Sequence, residues 1–595
     1  METLDNAKKV YNNRHKNYHK QYKSQQKKSS LYSNLRLLTA LLALFGFISP
    51  LFIPGLYGYE NYIGVFFVIL FIVFIVVHGK VKEKEKYLSM LAQLNKQGIE
   101  RLEGKWREFS DQGDEYIDEH HFFTYDLDVF GKNSLYQWIN STTTFLGRQK
   151  FTNILKKPPQ DIELINYRQD AIQELAEAVD FRQNLQGYGL IFKDSLIDPT
   201  ELINWTKEKV ESSFFYSVLR FFPILTLAAA YFSYTSGMLA PFAMVAIIQT
   251  LIAISIFAKV GEKLQQLGKY KDQITANAHL IELIENHNFK SPLLIKLQKR
   301  LSRQGNASEK LKALDKVMSL LSIRFQQWYF LFNILTLWDT HCLLGLNRWK
   351  REHGAKVDVY IEVLASFDEL SSFAVLNFEN SDWTVPTITN RAQIMGENVG
   401  HPLIRKKERV TNDIAISDNS PILMITGSNM SGKSTYLRTV GINSLLAFCG
   451  AKVCANEFTI SPMEICTSMR VQDDINSNVS SFYAELKRVR NILQHAKEGK
   501  RVLFLLDEIF KGTNSKDRHA GAKALIKELY NYKAMGLVST HDLELADLEN
   551  EIKLKNYHFT EHYINDDIKF DYKLREGVAK TFNAKYLMKK MGIDV

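Results

Sequence analysis

Proline is scarce in this chain, 12 of 595 residues, and that scarcity favours long uninterrupted helices. Cysteine is scarcer still. Cys342, Cys449, Cys454 and Cys466 form no CxxC pair and have no histidine at metal-ligand spacing. That excludes a disulfide scaffold and a zinc site, and leaves buried thiols in a reducing compartment. Charge is missing from three stretches: Leu37–Tyr59, Asn61–Gly79 and Phe221–Ala258 contain no Asp, Glu, Lys or Arg. Elsewhere it is plentiful, 24% of the chain against 46% apolar residues, so a disordered chain is excluded too. The length points to about four modules at ~150 residues each.

The net charge is +10, and much of it lies at the front. Lys8, Lys9, Arg14, Lys16, Lys20, Lys23, Lys27, Lys28 and Arg36 face only Glu2 and Asp5 before the first apolar stretch begins. Asn61–Gly79 as a helix reaches roughly 28 Å, close to the ~30 Å hydrocarbon thickness of a bilayer. Lys80, Lys82, Lys84 and Lys86 follow it, and Arg220 and Lys259 bracket the third stretch. Basic outer flanks and inner turns free of Lys and Arg predict two transmembrane hairpins with every large segment on the cytoplasmic side, as in a bacterial-type inner membrane. The competing reading is a pair of helical hairpins buried in a soluble core. Residues 1–36 read as a basic cytoplasmic tail drawn to anionic lipid in preference to DNA. A further apolar stretch, Phe325–Leu346, contains Asp339 and His341 and is expected to pack in protein.

The organisation that follows has the tail at 1–36, the first hairpin at 37–79 and an amphipathic helical linker at 80–125. In that linker Leu88, Leu91, Ile99, Leu102 and Trp106 fall near one face. Residues 126–395 read as an all-α core with the second hairpin at 221–258. Residues 396–595 alternate β-prone runs with helices, an α/β domain.

The chemistry is in that last third. Pro421–Thr426 is an apolar β-prone run ending in Gly427-Ser428-Asn429-Met430-Ser431-Gly432-Lys433-Ser434-Thr435, the GxxxxGK[ST] phosphate loop between a strand and an amphipathic helix. Backbone N–H groups of such a loop curl around phosphate at a helix N-terminus. Lys433 is placed to reach the β- and γ-phosphates of ATP, and Ser434 to ligate Mg²⁺. Arg501–Leu506 reads as a buried strand with acids at its C-terminal end: Asp507 to hold Mg²⁺, Glu508 to orient and deprotonate the attacking water. Met535–Thr540 is a third strand and leads to His541, either a sensor of the γ-phosphate or a surface histidine at a strand end.

These motifs together resemble the MutS family of DNA-mismatch-repair ATPases, within the ABC-type superfamily. The matching segments are Thr426–Tyr436, Asp473–Phe482, Leu506–Asn514 and Ser539–His541, with His401–Ile404 and Val410–Asp413 upstream. Leu127–Gly131, Ser134-Leu135, Gly147-Arg148 and Leu364–Leu370 resemble the family's helical core and levers. The resemblance implies a P-loop ATPase that works as a homodimer, with Ser480 reaching the partner's γ-phosphate and Gly512–Asp517 lining the interface. It places Asn429 near phosphate and water; a structural turn residue is the alternative there. It also puts Arg409 where an aromatic commonly stacks on adenine, and brings DNA as a partner. The Phe-x-Glu reading motif is not found in the short linker, which argues against a mismatch scanner. The sequence therefore reads as a membrane-anchored MutS-like ATPase, with an ATP-driven transporter-like machine or membrane scaffold as the rival.

Overall fold

A computed structural model describes residues 2–49, 60–192, 197–210, 214–302, 305–428, 430–470, 481–564 and 567–579. The basic tail and the first apolar stretch form one helix, α1 (Glu2–Ile48), and the second apolar stretch runs unbroken into the amphipathic segment as α2 (Glu60–Leu102). The two pack side by side. Small residues let them touch: a Cβ on Gly46 would lie 2.9 Å from the Gly64 backbone. Beyond the apolar region both helices dock on protein. Leu88, Leu91 and Trp106 are buried, and Arg14 pairs with Asp180 at 2.6 Å while donating to Gln183.

The helical core includes α3 (Ile162–Glu177), which starts at an Asp161 side-chain cap. The uncharged third stretch folds as α4 (Phe222–Ser236) and α5 (Ala240–Gly268), each with proline in its first turn and packed on the other. Proline there has the φ a helix needs and gives up an N–H that would lack a partner anyway. Among the described residues, four helices, Asn6–Ile48, Tyr62–Leu102, Phe214–Ser236 and Ala240–Lys259, are long and apolar enough to cross a membrane, and the rest of the chain covers little of their apolar windows.

Phe325–Leu346 packs in protein at Tyr329, Asn333, Leu337, Asp339, Cys342 and Leu346, as expected, but not throughout. It contains α6 (Tyr329–Thr336) and the start of α7 (Trp338–His353), joined at Leu337 in the left-handed region. Asp339 is buried, but Leu331 and Leu335 of α6 are 67% and 69% exposed. The charge keeps its own end inside; the i, i+4 leucine face carries no such constraint. The helical part ends in α8 (Val357–Glu379), buried along most of its length.

The last third is built on two sheets. The smaller holds β1 (Thr387–Ile388), β2 (Gln393–Val399), β3 (Asn412–Ser417) and β5 (Glu457–Ile460) in the order β1-β5-β2-β3. The larger holds β4 (Ile422–Thr426), β6 (Glu464–Ser468), β7 (Val502–Asp507), β8 (Met535–Thr540), β9 (Leu554–Ile564) and β10 (Asp567–Glu576) in the order β10-β9-β4-β8-β7-β6. It is parallel except for the β9–β10 pair. β4 and β8 are buried at every position, and β7 at all but its last, as strands covered on both faces must be. Helices α9 (Lys433–Cys449), α10 (Ser481–Lys497) and α11 (Ser515–Asn531) complete the unit. The mixed α/β sheet and the mostly helical remainder agree with the expected fold class. All four cysteines are free and buried.

Candidate functional site

β4, β7 and β8 run parallel, so their C-terminal ends lie on one side of the sheet, where parallel sheets bind ligands. The glycine loop leaves β4 there. Gly427 has φ 143°, and a Cβ on it would lie 3.0 Å from the Phe559 carbonyl oxygen and from Ser431 Oγ. Gly432 has φ 109° and caps the N-terminus of α9. Neither position admits a side chain without strain.

Lys433, the first residue of α9, is buried and turns back into the loop, donating from Nζ to the carbonyls of Gly427 and Ser428, both at 2.9 Å. Burial pulls its ammonium pKa down, opposed by the nearby Glu508 and Asp507 carboxylates. Its Nζ lies 3.8 Å from Glu508 Oε1 and 3.4 Å from His541 Nε2. Glu508 sits just beyond β7 at φ 48°, with its N–H bonded to the Ser539 carbonyl at 3.0 Å. His541 Nε2 meets Glu508 Oε1 at 2.5 Å, and Lys511 Nζ meets Oε2 at 2.8 Å. The hydrogen bond to His541, helped by Lys511, holds the Glu508 carboxyl down at about 2 against the upward push of burial. Asp507 ends β7 in register with Ser539 of β8, whose hydroxyl donates to its Oδ1.

The predicted residues are therefore largely brought together. Lys433, Glu508 and His541 converge, Asp507 is adjacent, and Met430, Gly432, Ser434 and Thr435 line a cleft of about 390 Å³. Ser428 donates to Glu561 Oε2 at 2.6 Å. Ser431 Oγ is buried with no hydrogen-bond partner among the described residues. Asn429 and Ser480 lie outside the described residues.

Two residues correct or extend the sequence reading. Arg409 is taken up within the protein. Its guanidinium donates to Ile404 O at 2.7 Å and Pro402 O at 3.2 Å, contacts Cys454 Sγ and covers the Trp383 ring. An aromatic residue of the cleft escapes the sequence reading: Tyr572, in a bulge of β10 at φ 55°, lines it. A Cβ on Gly432 would come within 3.2 Å of its ring. Asn412 pins the bulge, donating to Tyr572 O at 2.9 Å and accepting from Leu574 N at 2.8 Å. Alternation along β10 gives no warning, because the bulge breaks it. His401, also in the cleft, is pushed down to about 4 by burial, with Arg438 and Arg409 adding to the effect.

A largely parallel sheet with a glycine loop at a strand end and a lysine–carboxylate–histidine cluster beneath it makes up this α/β site. The family models for MutS domain III and MutS domain V match residues 123–374 and 423–590, and the chain belongs to the MutS family. It is 30% identical over 321 residues to the DNA mismatch repair protein MutS of Listeria welshimeri, covering 52% of this chain and 35% of that protein. Against the proteins of the same name from Listeria innocua and Aquifex pyrophilus it is 36% identical over 223 and 230 residues. Those matches cover 36% and 38% of this chain, and 26% of each relative. The chain thus spans about a third or less of the length of these relatives.

Proposed function

We propose that this chain is a Mg²⁺-dependent ATPase of the MutS type, anchored in a membrane by α1, α2, α4 and α5 and active as a homodimer. The observation that carries it is the convergence of Lys433, Glu508 and His541 beneath the glycine loop, within 3.8 Å of one another. The donor set fits nucleotide and metal: a loop with two positive-φ glycines, a buried Ser431 hydroxyl with no partner among the described residues, and a strand-end carboxylate beside a helix N-terminus. Ser434 and Asp507 would hold the metal, which when bound neutralises charge on the β- and γ-phosphates.

This chain's own residues do the rest. Lys433 exchanges the two loop carbonyls for phosphate oxygens, replacing neutral acceptors with anionic ones. Glu508 orients the attacking water and takes its proton. Held near pKa 2 by His541 and Lys511, it is a weak base; moving His541 toward the γ-phosphate removes its largest stabiliser and strengthens it. Chemistry is thereby coupled to nucleotide seating. Ser480 is assigned to the partner's γ-phosphate, in trans, and Asn429 to the phosphate and water region. Mixing Lys433→Ala and Ser480→Ala chains leaves one intact composite site, so activity above that of either variant supports the dimer.

Gln249, the main polar residue of the second apolar pair, is taken up by hydrogen bonds to Thr226, Ile334 and Leu335. It offers no side chain to a substrate path, which favours the anchored ATPase over the transporter. The membrane is assigned as a bacterial-type inner membrane with the α/β unit on its cytoplasmic side. DNA enters as a partner from the names of the relatives. The test is ATP turnover of the purified, membrane-reconstituted chain with and without duplex, mismatched and branched DNA. No turnover under any condition would remove the enzymatic reading, and turnover indifferent to all three DNAs would remove the DNA partner.

A further inference from the structure

We propose that α6 and its turn into α7 form a re-entrant membrane element: a half-span helix inserted beside α4 and α5, with lipid hydrocarbon against its outer face. The inference rests on the reading of α4 and α5 as spans and adds a third embedded piece that crosses no membrane.

Depth comes first. α6 packs on α5. At its start, the Phe330 ring lies 6.1 Å from the Phe257 ring, next to Lys259 at the inner end of the span. At its end, Ile334 and Leu335 meet Gln249. From Lys259 to Gln249 is about 15 Å along a helix, half of the ~30 Å hydrocarbon thickness. α6 is eight residues long, about 12 Å. It rises from the inner surface to mid-depth and stops.

The stopping point is what hydrocarbon demands. The last carbonyls of a helix have no partner within it, and in a bilayer core each must find one in protein. Asn333 O accepts from Leu337 N at 2.8 Å. Ile334 O and Leu335 O both accept from the Gln249 side-chain amide, at 2.6 and 3.0 Å. The remaining Gln249 oxygen accepts from Thr226 of α4, and the side chain is buried. A helix end in water needs no such cap from inside an apolar helix. The cap is paid for by a polar residue in a span, which is otherwise costly.

The base is closed as well. Arg324, just before α6, pairs with Asp339 of α7 at 2.8 Å, and its guanidinium lies 4.3 Å over Phe257. Tyr329 donates to the same carboxylate oxygen, Asn333 to the other at 3.2 Å. Gly261 of α5 makes room, since a Cβ there would meet Arg324 at 2.5 Å. Both limbs are tied together through Asp339. Leu331 and Leu335 are exposed, as are Ile247, Leu251 and Ile254 on α5, the helix α6 packs on.

The experiment places single nitroxide labels on the full-length protein in lipid nanodiscs, at Leu331→Cys and Leu335→Cys. Leu251→Cys serves as the span reference and Tyr532→Cys as the aqueous one; the native thiols are buried. Access to oxygen, which concentrates in hydrocarbon, is compared with access to a water-soluble nickel chelate. The expected result is that Leu331 and Leu335 match Leu251, several-fold richer in oxygen relative to nickel than Tyr532. Nickel access at Leu335 equal to Tyr532, with Leu251 still in hydrocarbon, overturns the re-entrant element and leaves the spans standing. Nickel access at Leu251 as well overturns both. Shielding of Leu335 from both reagents overturns lipid as the occupant and points to a second copy. In a Gln249→Leu background the Leu335 label is expected to shift toward the nickel phase while Leu251 does not; an unmoved Leu335 overturns the capping role.

Discussion

Arg101 of α2 and Glu379 in the last turn of α8 form a buried ion pair, the Arg101 Nε lying 2.9 and 3.0 Å from the two carboxylate oxygens. Tyr11 of α1 donates to the same carboxylate at 3.0 Å. Both helices of the first apolar pair are thus fastened to the helix that leads into the α/β unit. Removing one partner of such a pair strands a buried charge, at a cost of about 3–5 kcal/mol, while an apolar replacement of both is close to neutral. Glu379→Ala is expected to lose that much in denaturant titrations in detergent. Arg101→Met combined with Glu379→Leu is expected to recover most of it. Equal losses in both variants would show that the pair itself, and not the stranded charge, sets the stability.

Glu508→Gln should bind ATP with unchanged affinity and turn over ~10²–10⁴-fold more slowly, since the loop and metal ligands remain and only the base is lost. Lys433→Ala should lose binding and turnover together. Single-turnover kinetics alongside nucleotide binding separate the two. Wild-type turnover in Glu508→Gln would give its role to another group.

The phosphate loop and the strand-end acids were legible because they are local: each is a short apolar run followed at once by the residues that do chemistry. The four apolar helices were legible for the same reason, as uncharged length needs no tertiary information. What stayed hidden depends on contacts far apart in sequence. Arg409 was read for its neighbours in the chain, yet its direction is set by Cys454 and Trp383. Tyr572 reaches the cleft through a bulge pinned by Asn412. Asp339 and His341 point to protein packing over Phe325–Leu346, and Asp339 is indeed satisfied by Arg324, Tyr329 and Asn333; the exposure of Leu331 and Leu335 depends on which way α6 leaves that cluster.

Asp368 gives a pH dependence with a definite sign. It is buried on α8 and accepts from the N–H groups of Thr143 and Thr144 and the Thr144 hydroxyl, yet burial outweighs these bonds and raises its pKa to about 6. An unfolded Asp titrates near ~3.9. Between those values the folded chain holds the extra proton, so this group's contribution falls as pH rises from about 4 to about 6 and is flat above that. Asp368→Asn removes the dependence. The difference in unfolding free energy between the two proteins should change over that window and level off on either side, read by denaturant titration at each pH. A difference that is constant across the window would mean the carboxylate titrates normally.

Tyr572 and Arg409 make opposite predictions about nucleotide binding. The ring of Tyr572 faces the cleft beside Gly432, so a purine can lie against it; aromatic contacts of this kind are worth about 0.5–1.5 kcal/mol, or roughly 2- to 12-fold in affinity. Tyr572→Ala should raise the Kd for ATP by that factor and Tyr572→Phe should not. Because every purine presents a π-face, GTP should weaken in parallel with ATP. Arg409 is committed to two backbone carbonyls, a thiol and the Trp383 ring. Arg409→Ala should therefore lower stability through unpaired carbonyls, with nucleotide affinity nearly unchanged in the protein that remains folded. Fluorescent-nucleotide titration combined with a thermal melt distinguishes them. A large affinity loss in Arg409→Ala at unchanged melting temperature would move the base contact from Tyr572 to Arg409.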